Sequence, residues 1–240
     1  LSNTHGWWYG MEDSDFDGDG DTDFIMGNLG YNYKYKAKSE EPFTLYTYDY
    51  DGDNNEDLVL SYYQNGEQYP VRGRECSSQQ IPAIQKKFKD YNSFAQANLV
   101  QIYSKEHLEK STRYAVEDFG STYVENLGNG TFKLRRLDLF SQLSSLNGFA
   151  IGDFNDDGNI DVLAAGNLYG SEVETPRNDA GYGLVLLGDG KGDFKILKPY
   201  ETGLFISGEV KSINKMRLTG GKEGFLIVKN NDYLQLITRS

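Results

Sequence analysis

The chain predicts an all-β fold assembled from a repeated strand-loop-strand unit, and three observations point there. An acidic nine-residue segment recurs in one register: Asp15-Phe-Asp-Gly-Asp-Gly-Asp-Thr-Asp23, Asp49-Tyr-Asp-Gly-Asp-Asn-Asn-Glu-Asp57 and Asp153-Phe-Asn-Asp-Asp-Gly-Asn-Ile-Asp161. Each copy runs straight into a short apolar stretch: Phe24-Ile25-Met26, Leu58-Val59-Leu60 and Val162-Leu163-Ala164. A glycine-rich turn also repeats, as Asn126-Leu-Gly-Asn-Gly-Thr-Phe132 and Leu187-Gly-Asp-Gly-Lys-Gly-Asp-Phe194. Self-similarity of this kind marks repeat architectures, and glycines at positive φ between short apolar runs mark tight hairpins.

The elements follow in order. The first acidic loop is flanked by expected strands at Trp7–Asp13 and Phe24–Leu29, the second by Phe43–Tyr48 and Leu58–Tyr63. Between Ser77 and Lys110 the apolar residues Ile81, Ile84, Phe88, Leu99, Ile102, Tyr103 and Leu108 fall at helical spacing, which predicts two or three short helices inserted into the second unit. That unit is expected to resume with strands at Ser121–Leu127 and Phe132–Leu137. Around the third loop, strands are expected at Gly148–Phe154, Asp161–Asn167, Gly183–Leu187 and Phe194–Lys198. A last group covers Val210–Leu218, Gly224–Lys229 and Tyr233–Thr238. The four units span approximately 1–42, 43–140, 141–200 and 201–240, with the helical insertion at 75–113. The first and last are expected to lack outer strands.

The acidic loops carry the clearest chemistry. Their spacing places side-chain oxygens at positions 1, 3, 5 and 9 and a backbone carbonyl at position 7. The candidate ligands are Asp15, Asp17, Asp19, Asp21 and Asp23; Asp49, Asp51, Asp53, Asn55 and Asp57; and Asp153, Asn155, Asp157, Asn159 and Asp161. Ca²⁺ takes about six to eight oxygens in flexible geometry, whereas Mg²⁺ demands a rigid octahedron and retains water, so three Ca²⁺ sites are expected. Carboxylates crowded this closely without a cation repel one another. An alternative register, Asp13-Asp15-Asp17-Gly18-Asp21, is rejected because position 9 of the other copies directly precedes the apolar run. An EF-hand is rejected because position 12 is Met26, Leu60 or Ala164 rather than Glu, and the flanks read as strands. Asn54 replaces the glycine found at Gly20 and Gly158 but tolerates left-handed backbone; Asn155 removes a charge and predicts weaker binding at the third loop.

Composition excludes several classes. The chain has 240 residues, 36 acidic and 24 basic side chains, a formal net charge of −12 and 14% aromatics. Its length supports a sizeable core, and its aromatic content argues against disorder despite a mean hydropathy of −0.61. Nucleic acid is not an expected partner, since phosphate binding needs Lys/Arg clusters. The single Cys76 excludes an internal disulfide framework, and no apolar run approaches the roughly 20 residues that span a bilayer. The three loops hold 14 of the 36 acids and no Lys or Arg, so the acidity is local to them. Three bound Ca²⁺ would bring the total to about −6. The start, Leu1-Ser-Asn-Thr4, resembles neither an initiator Met nor a signal peptide and reads as a mature fragment of a longer protein.

These loops, with the run Phe149-Ala-Ile-Gly-Asp-Phe-Asn-Asp-Asp-Gly158 and the Gly-Asn-Gly-Thr-Phe132 hairpin, resemble the FG-GAP/VCBS repeats of integrin α-subunit propellers and many bacterial surface proteins. Trp7–Gly30, the helical insertion and Asn178–Phe194 are similar to the C-terminal part of Bacteroidota VCBS-repeat proteins of the ASPIC/UnbV type. The resemblance implies a β-propeller of about four blades, partial or completed by the remaining blades of a parent chain or by a second copy. It also implies calcium as a structural ion and an exported protein: extracellular, cell-surface or periplasmic. The expected role is non-catalytic binding or scaffolding with a protein or glycan partner and no membrane insertion; the alternative is a polysaccharide hydrolase or lyase using a propeller face.

Other candidates weigh less. His5 and His107 do not suggest a relay, and His107 reads as an exposed helix residue. Cys76 lacks a nearby His and reads as inert. Glu172, Glu174 and Asp179, with Arg177, lie in a connection longer than a hairpin needs, and are the carboxylates left over for glycoside chemistry. Trp7, Trp8 and the many tyrosines read as packing, with Tyr31-Asn-Tyr-Lys-Tyr-Lys36 the most exposed candidate for stacking on a sugar. The insertion Ser77–Lys110 is a third possible interaction surface.

Overall fold

The computed structural model describes Leu1, Thr4–Ser171 and Thr175–Arg239. Strand exceeds helix, 38% against 17%, in four antiparallel sheets, none closed on itself. The chain divides into two compact units: one holds Trp7–Lys34 and everything from Phe119 onward, the other Tyr35–Asp118 with the short stretch up to Gly6.

The larger unit contains three sheets. The first joins β1 (Gly10–Ser14), β2 (Asp23–Gly27), β7 (Thr122–Asn126) and β8 (Phe132–Arg136) in that order. The second is β9 (Leu146–Gly152), β10 (Asp161–Gly166), β11 (Leu184–Gly188) and β12 (Phe194–Leu197), again in sequence order. The third is β13 (Val210–Arg217), β14 (Glu223–Lys229) and β15 (Gln235–Thr238). In each, period-2 alternation or wholly apolar sequence directs side chains into shared cores. Ile25, Tyr123, Phe149, Val162 and Leu186 fill one, and Leu163, Ile213, Phe225 and Ile227 another.

Glycine sets how closely the sheets approach. A Cβ on Gly10 or Gly27 would lie 2.2 or 1.9 Å from the carbonyl oxygens of Asn147 and Leu146, far inside contact distance. A Cβ on Gly148 would lie 3.0 Å from the backbone of Ser212 and Ile213. The leading strands β1, β9 and β13 therefore pass backbone against backbone. Asn147 crosses one of these seams, its Nδ2 donating to the carbonyls of Asn167 and Val210 at 2.9 and 2.8 Å.

The smaller unit has one sheet, ordered β5 (Glu67–Pro70), β4 (Asp57–Gln64), β3 (Phe43–Tyr48), β6 (Thr112–Val116). Between β5 and β6 run five short helices: α1 (Arg74–Gln80), α2 (Ala83–Lys87), α3 (Tyr91–Ala95), α4 (Leu99–Tyr103) and α5 (Lys105–Lys110). Asp90 caps α3 by accepting from Ser93 N at 2.8 Å, and Asn98 with Gln101 forms a capping box on α4. Ile81, Ile84, Phe94, Leu99, Ile102 and Tyr103 pack on Tyr46 and Val59 of the sheet. A sixth helix, α6 (Pro199–Thr202), follows β12 in the larger unit.

Two expectations need correcting. Strands 121–127 and 132–137 do not resume the second sheet; β7 pairs with β2, with Ile25 opposite Tyr123. In the second sheet β4 pairs with β5 through the Asn65-Gly66 turn and β3 with β6, so the places beside the loop strands are filled from within 43–116, while β7 takes the side of β2 that β1 leaves open. The first sheet is thus four-stranded rather than incomplete, and the segment 43–140 is divided between the two units.

Candidate metal centres

Each acidic loop joins the first two strands around it, β1 to β2, β3 to β4 and β9 to β10. All three curl around one hydrogen-bond frame. Position 1 accepts from the amides of the following turn: Asp15 from Gly18 and Gly20 at 2.8 and 3.1 Å, Asp49 from Gly52 and Asn54 at 2.7 and 3.0 Å, Asp153 from Asp157 and Gly158 at 3.1 and 2.9 Å. Position 9 accepts from the amide at position 2: Asp23 from Phe16, Asp57 from Tyr50, Asp161 from Phe154, at 3.2, 2.9 and 2.6 Å. The positive φ that closes each turn falls on Gly20, Asn54 and Gly158, so Asn54 does adopt the left-handed backbone expected of it.

The position-2 aromatic nails each loop into the core beside it. Phe16 meets Tyr123 and Phe194 edge to face, and Phe154 meets Phe225. Tyr50 rests on Tyr103 and His107, and its hydroxyl lies 2.8 Å from Ser111 Oγ. In the smaller unit the loop is therefore fastened to the inserted helices.

Two of the loops gather carboxylates that can hold a metal ion: Asp15, Asp17 and Asp19 in the first, and Asp49, Asp51 and Asp57 in the second, with ligand oxygens within 4.8 Å of one another. The first loop also encloses Asp21 Oδ1, which has no hydrogen-bond partner. An enclosed carboxylate oxygen without a donor is costly unless something positive meets it, so this donor set fits a cation.

Asp23 lies outside the gathered group. It is fully buried and accepts from Phe16 N, from the Tyr123 hydroxyl at 2.6 Å and from Asn126 N at 2.8 Å. Burial, then this bond to Asp23, pushes the Tyr123 phenol well above the ordinary tyrosine range. Asp53 accepts from both nitrogens of Asn55, at 2.7 and 3.1 Å.

The charge balance differs between loops. Burial and then neighbouring carboxylates hold Asp17, Asp21 and Asp57 above the usual range. The third loop is eased by two local donors and one distant one. The Asn159 amide, and then Asn155 Nδ2 at 2.8 Å, lower Asp157; the Arg239 guanidinium clasps Asp156 and lowers it too. Asp161, buried and bonded to Phe154 N and Gly188 N, is raised mainly by that burial. Among the described residues the third loop forms no comparable carboxylate group.

The remaining candidates separate. His107, expected to be exposed, is half-buried with its ring 5.5 Å from Tyr48, and His5 pairs with Glu117 at 3.5 Å. Cys76 is exposed. Arg177 stacks on Tyr169 and sits 3.8 Å from Asp179, while Glu172 and Glu174 lie outside the described residues. Tyr31 is exposed, with its amide donating to the Gln142 carbonyl at 2.8 Å. Tyr123 and Arg239, which hold loops 1 and 3, have no signal in the sequence because their partners are 100 and 83 residues away. No helix among the described residues is long and apolar enough to cross a membrane.

Comparisons with protein-family models, with curated proteins and with solved structures return no match.

Proposed function

We propose that the chain is a calcium-stabilised β-propeller module of the FG-GAP/VCBS type, exported from the cell and used for binding or scaffolding rather than catalysis. The observation that carries the calcium reading is the carboxylate group of the first loop together with the enclosed, donor-less Asp21 Oδ1. The ligands are all oxygen, on a loop closed by glycine rather than a rigid cage, which suits Ca²⁺ better than Mg²⁺. The blade reading is supported by the three sheets of the larger unit, whose strands lie side by side in order of occurrence and whose leading strands meet at glycine. Here the cation's role is to neutralise the loop and fix the connection between the first two strands of a sheet. Export is the reading most consistent with a Ca²⁺-dependent fold, since Ca²⁺ is abundant outside cells.

The test is thermal melting in EDTA and in CaCl2, with calorimetric titration of the metal-free chain. The expected outcome is a higher melting temperature in CaCl2 and saturable Ca²⁺ uptake that excess Mg²⁺ does not reproduce. Superimposable melts in EDTA and CaCl2 would sink the reading.

A further inference from the structure

The five inserted helices are held unequally. α4 buries Leu99, Ile102 and Tyr103, whereas α5 has no buried residue. Besides half-buried Leu108, two tyrosines fasten α5. The His107 ring lies 5.5 Å from Tyr48 and 5.9 Å from Tyr50. The Tyr50 hydroxyl lies 2.8 Å from Ser111 Oγ, which donates to the His107 carbonyl at 2.8 Å. Tyr50 also rests 5.2 Å from the Tyr103 ring of α4, so a single side chain spans the α4–α5 junction. That junction is strained: Ser104 holds φ at 68° and ψ at 149°, a region that glycine alone enters freely. Such backbone persists only where neighbouring contacts impose it, and Tyr50 makes contacts on both sides of Ser104.

Tyr50 belongs to the second acidic loop. It sits between Asp49 and Asp51, two of the three gathered carboxylates, and its amide donates to the third, Asp57, at 2.9 Å. Repulsion among these carboxylates therefore acts on the very residue that clasps α5. The other loops have no such link. Phe16 and Phe154, at the same position, meet Tyr123, Phe194 and Phe225, all of them on strands.

We propose that the second acidic loop is a cation-operated latch on α5. With the loop charge neutralised, Tyr50 bridges Tyr103 and Ser111 and holds α5 down. With the charge unanswered, Asp49, Asp51 and Asp57 spread, Tyr50 loses its seat, and α5 opens about Ser104. The latch rests on the calcium reading above and adds a regulated element to it: occupancy of one loop sets the exposure of one helix. Such coupling is reciprocal, so loosening α5 weakens cation binding at this loop by the same factor.

Amide hydrogen exchange of the full chain is followed in EDTA and in CaCl2, with calorimetric titration of Ca²⁺ in parallel. The Lys105–Ser111 amides are expected to exchange about tenfold slower in CaCl2. A helix that opens independently of the loop would exchange equally fast in both. Tyr50→Ala and Asp51→Asn are each expected to abolish the slowing. Tyr50→Phe keeps the ring on Tyr103 but loses the contact to Ser111; it is expected to lessen the slowing, and it decides the matter if Y50A does not fold. Equal exchange in EDTA and CaCl2 alongside saturable Ca²⁺ uptake overturns the latch and leaves the calcium reading standing. Absence of uptake overturns both. Slowing that survives D51N, or that is undiminished in Y50F, overturns the latch alone.

Discussion

The first and third acidic loops share a backbone and differ in what their charges meet. Both curl around the same amide-to-carboxylate bonds, and both drive a phenylalanine into the next core. The first leaves three clustered carboxylates and an enclosed Asp21 oxygen without a donor. In the third, Asn155 donates to Asp157 and Arg239 clasps Asp156. The loop frame alone is therefore a way of turning the chain; the unanswered charge is what makes the first loop a candidate for holding a cation.

The largest effect that sharpens this comparison lies at position 9. Asp23→Ala strands three donors, where Asp161→Ala strands two, Phe154 N and Gly188 N. At about 1–3 kcal/mol for each unpaired buried group, the first change is expected to cost roughly 3–9 kcal/mol and the second roughly 2–6. Urea titrations of the two variants in EDTA measure this, and equal losses would break the ranking.

Next comes the cation itself. Ca²⁺ at about 100 times its Kd should add roughly 2.7 kcal/mol per occupied site, or about 5–10 °C in melting temperature for a chain of this size. Asp17→Asn should remove a large part of that increment, and Asp157→Asn little of it. A larger loss from the third-loop variant would reverse the assignment.

Acidity tests the same contrast. Asp17, Asp21 and Asp57 are raised in the folded chain, so their ionised forms cost stability above the folded pKa, and the cost is relieved as pH falls through it. Asp156 and Asp157 are lowered, so their contribution is present above the unfolded pKa and lost as pH falls through the folded one. In EDTA, acidification from neutral pH should therefore first relieve the first two loops. In CaCl2 it should instead erode stability, as protons displace the ion. The gap between the two melting curves is expected to close toward the carboxylate range, and a gap constant with pH would contradict cation binding by these groups.

Smaller still is the repair of the third loop: Asn155→Asp is expected to raise its Ca²⁺ uptake in calorimetry, with little change in the metal-free melt. Arg239→Gln should barely move the melting temperature, because exposed ion pairs contribute little to stability.

Much of this was legible because it is local. The loops, the hairpins at Gly128 and Gly190 and the apolar strand following each loop are encoded within a dozen residues. The Asn65-Gly66 turn is an equally local hairpin signal, yet Glu67-Gln-Tyr-Pro70 after it is mostly polar and carries no strand pattern of its own. β6 begins with three exposed residues and offers no periodicity. The pairing of β7 is out of reach of the sequence for a different reason: any free edge accepts an apolar strand, and nothing local to Thr122–Asn126 selects β2, which lies about 100 residues earlier. Asp23 as a buried anchor was hidden for the same cause, since its donors Tyr123 and Asn126 arrive with that strand.

The placement of β7 has a consequence for how the chain is made. Tyr123 follows Asp23 by 100 residues, and the chain leaves and re-enters the first sheet at neighbouring points, where Gly30 N donates to Phe119 O at 2.8 Å. At roughly 5–20 residues per second, ribosomal synthesis leaves β2 waiting on the order of 5–20 seconds for its partner strand. During that interval an apolar strand with an open edge stands exposed to every nascent chain nearby, which makes the newborn polypeptide, rather than the finished fold, the form most prone to aggregate.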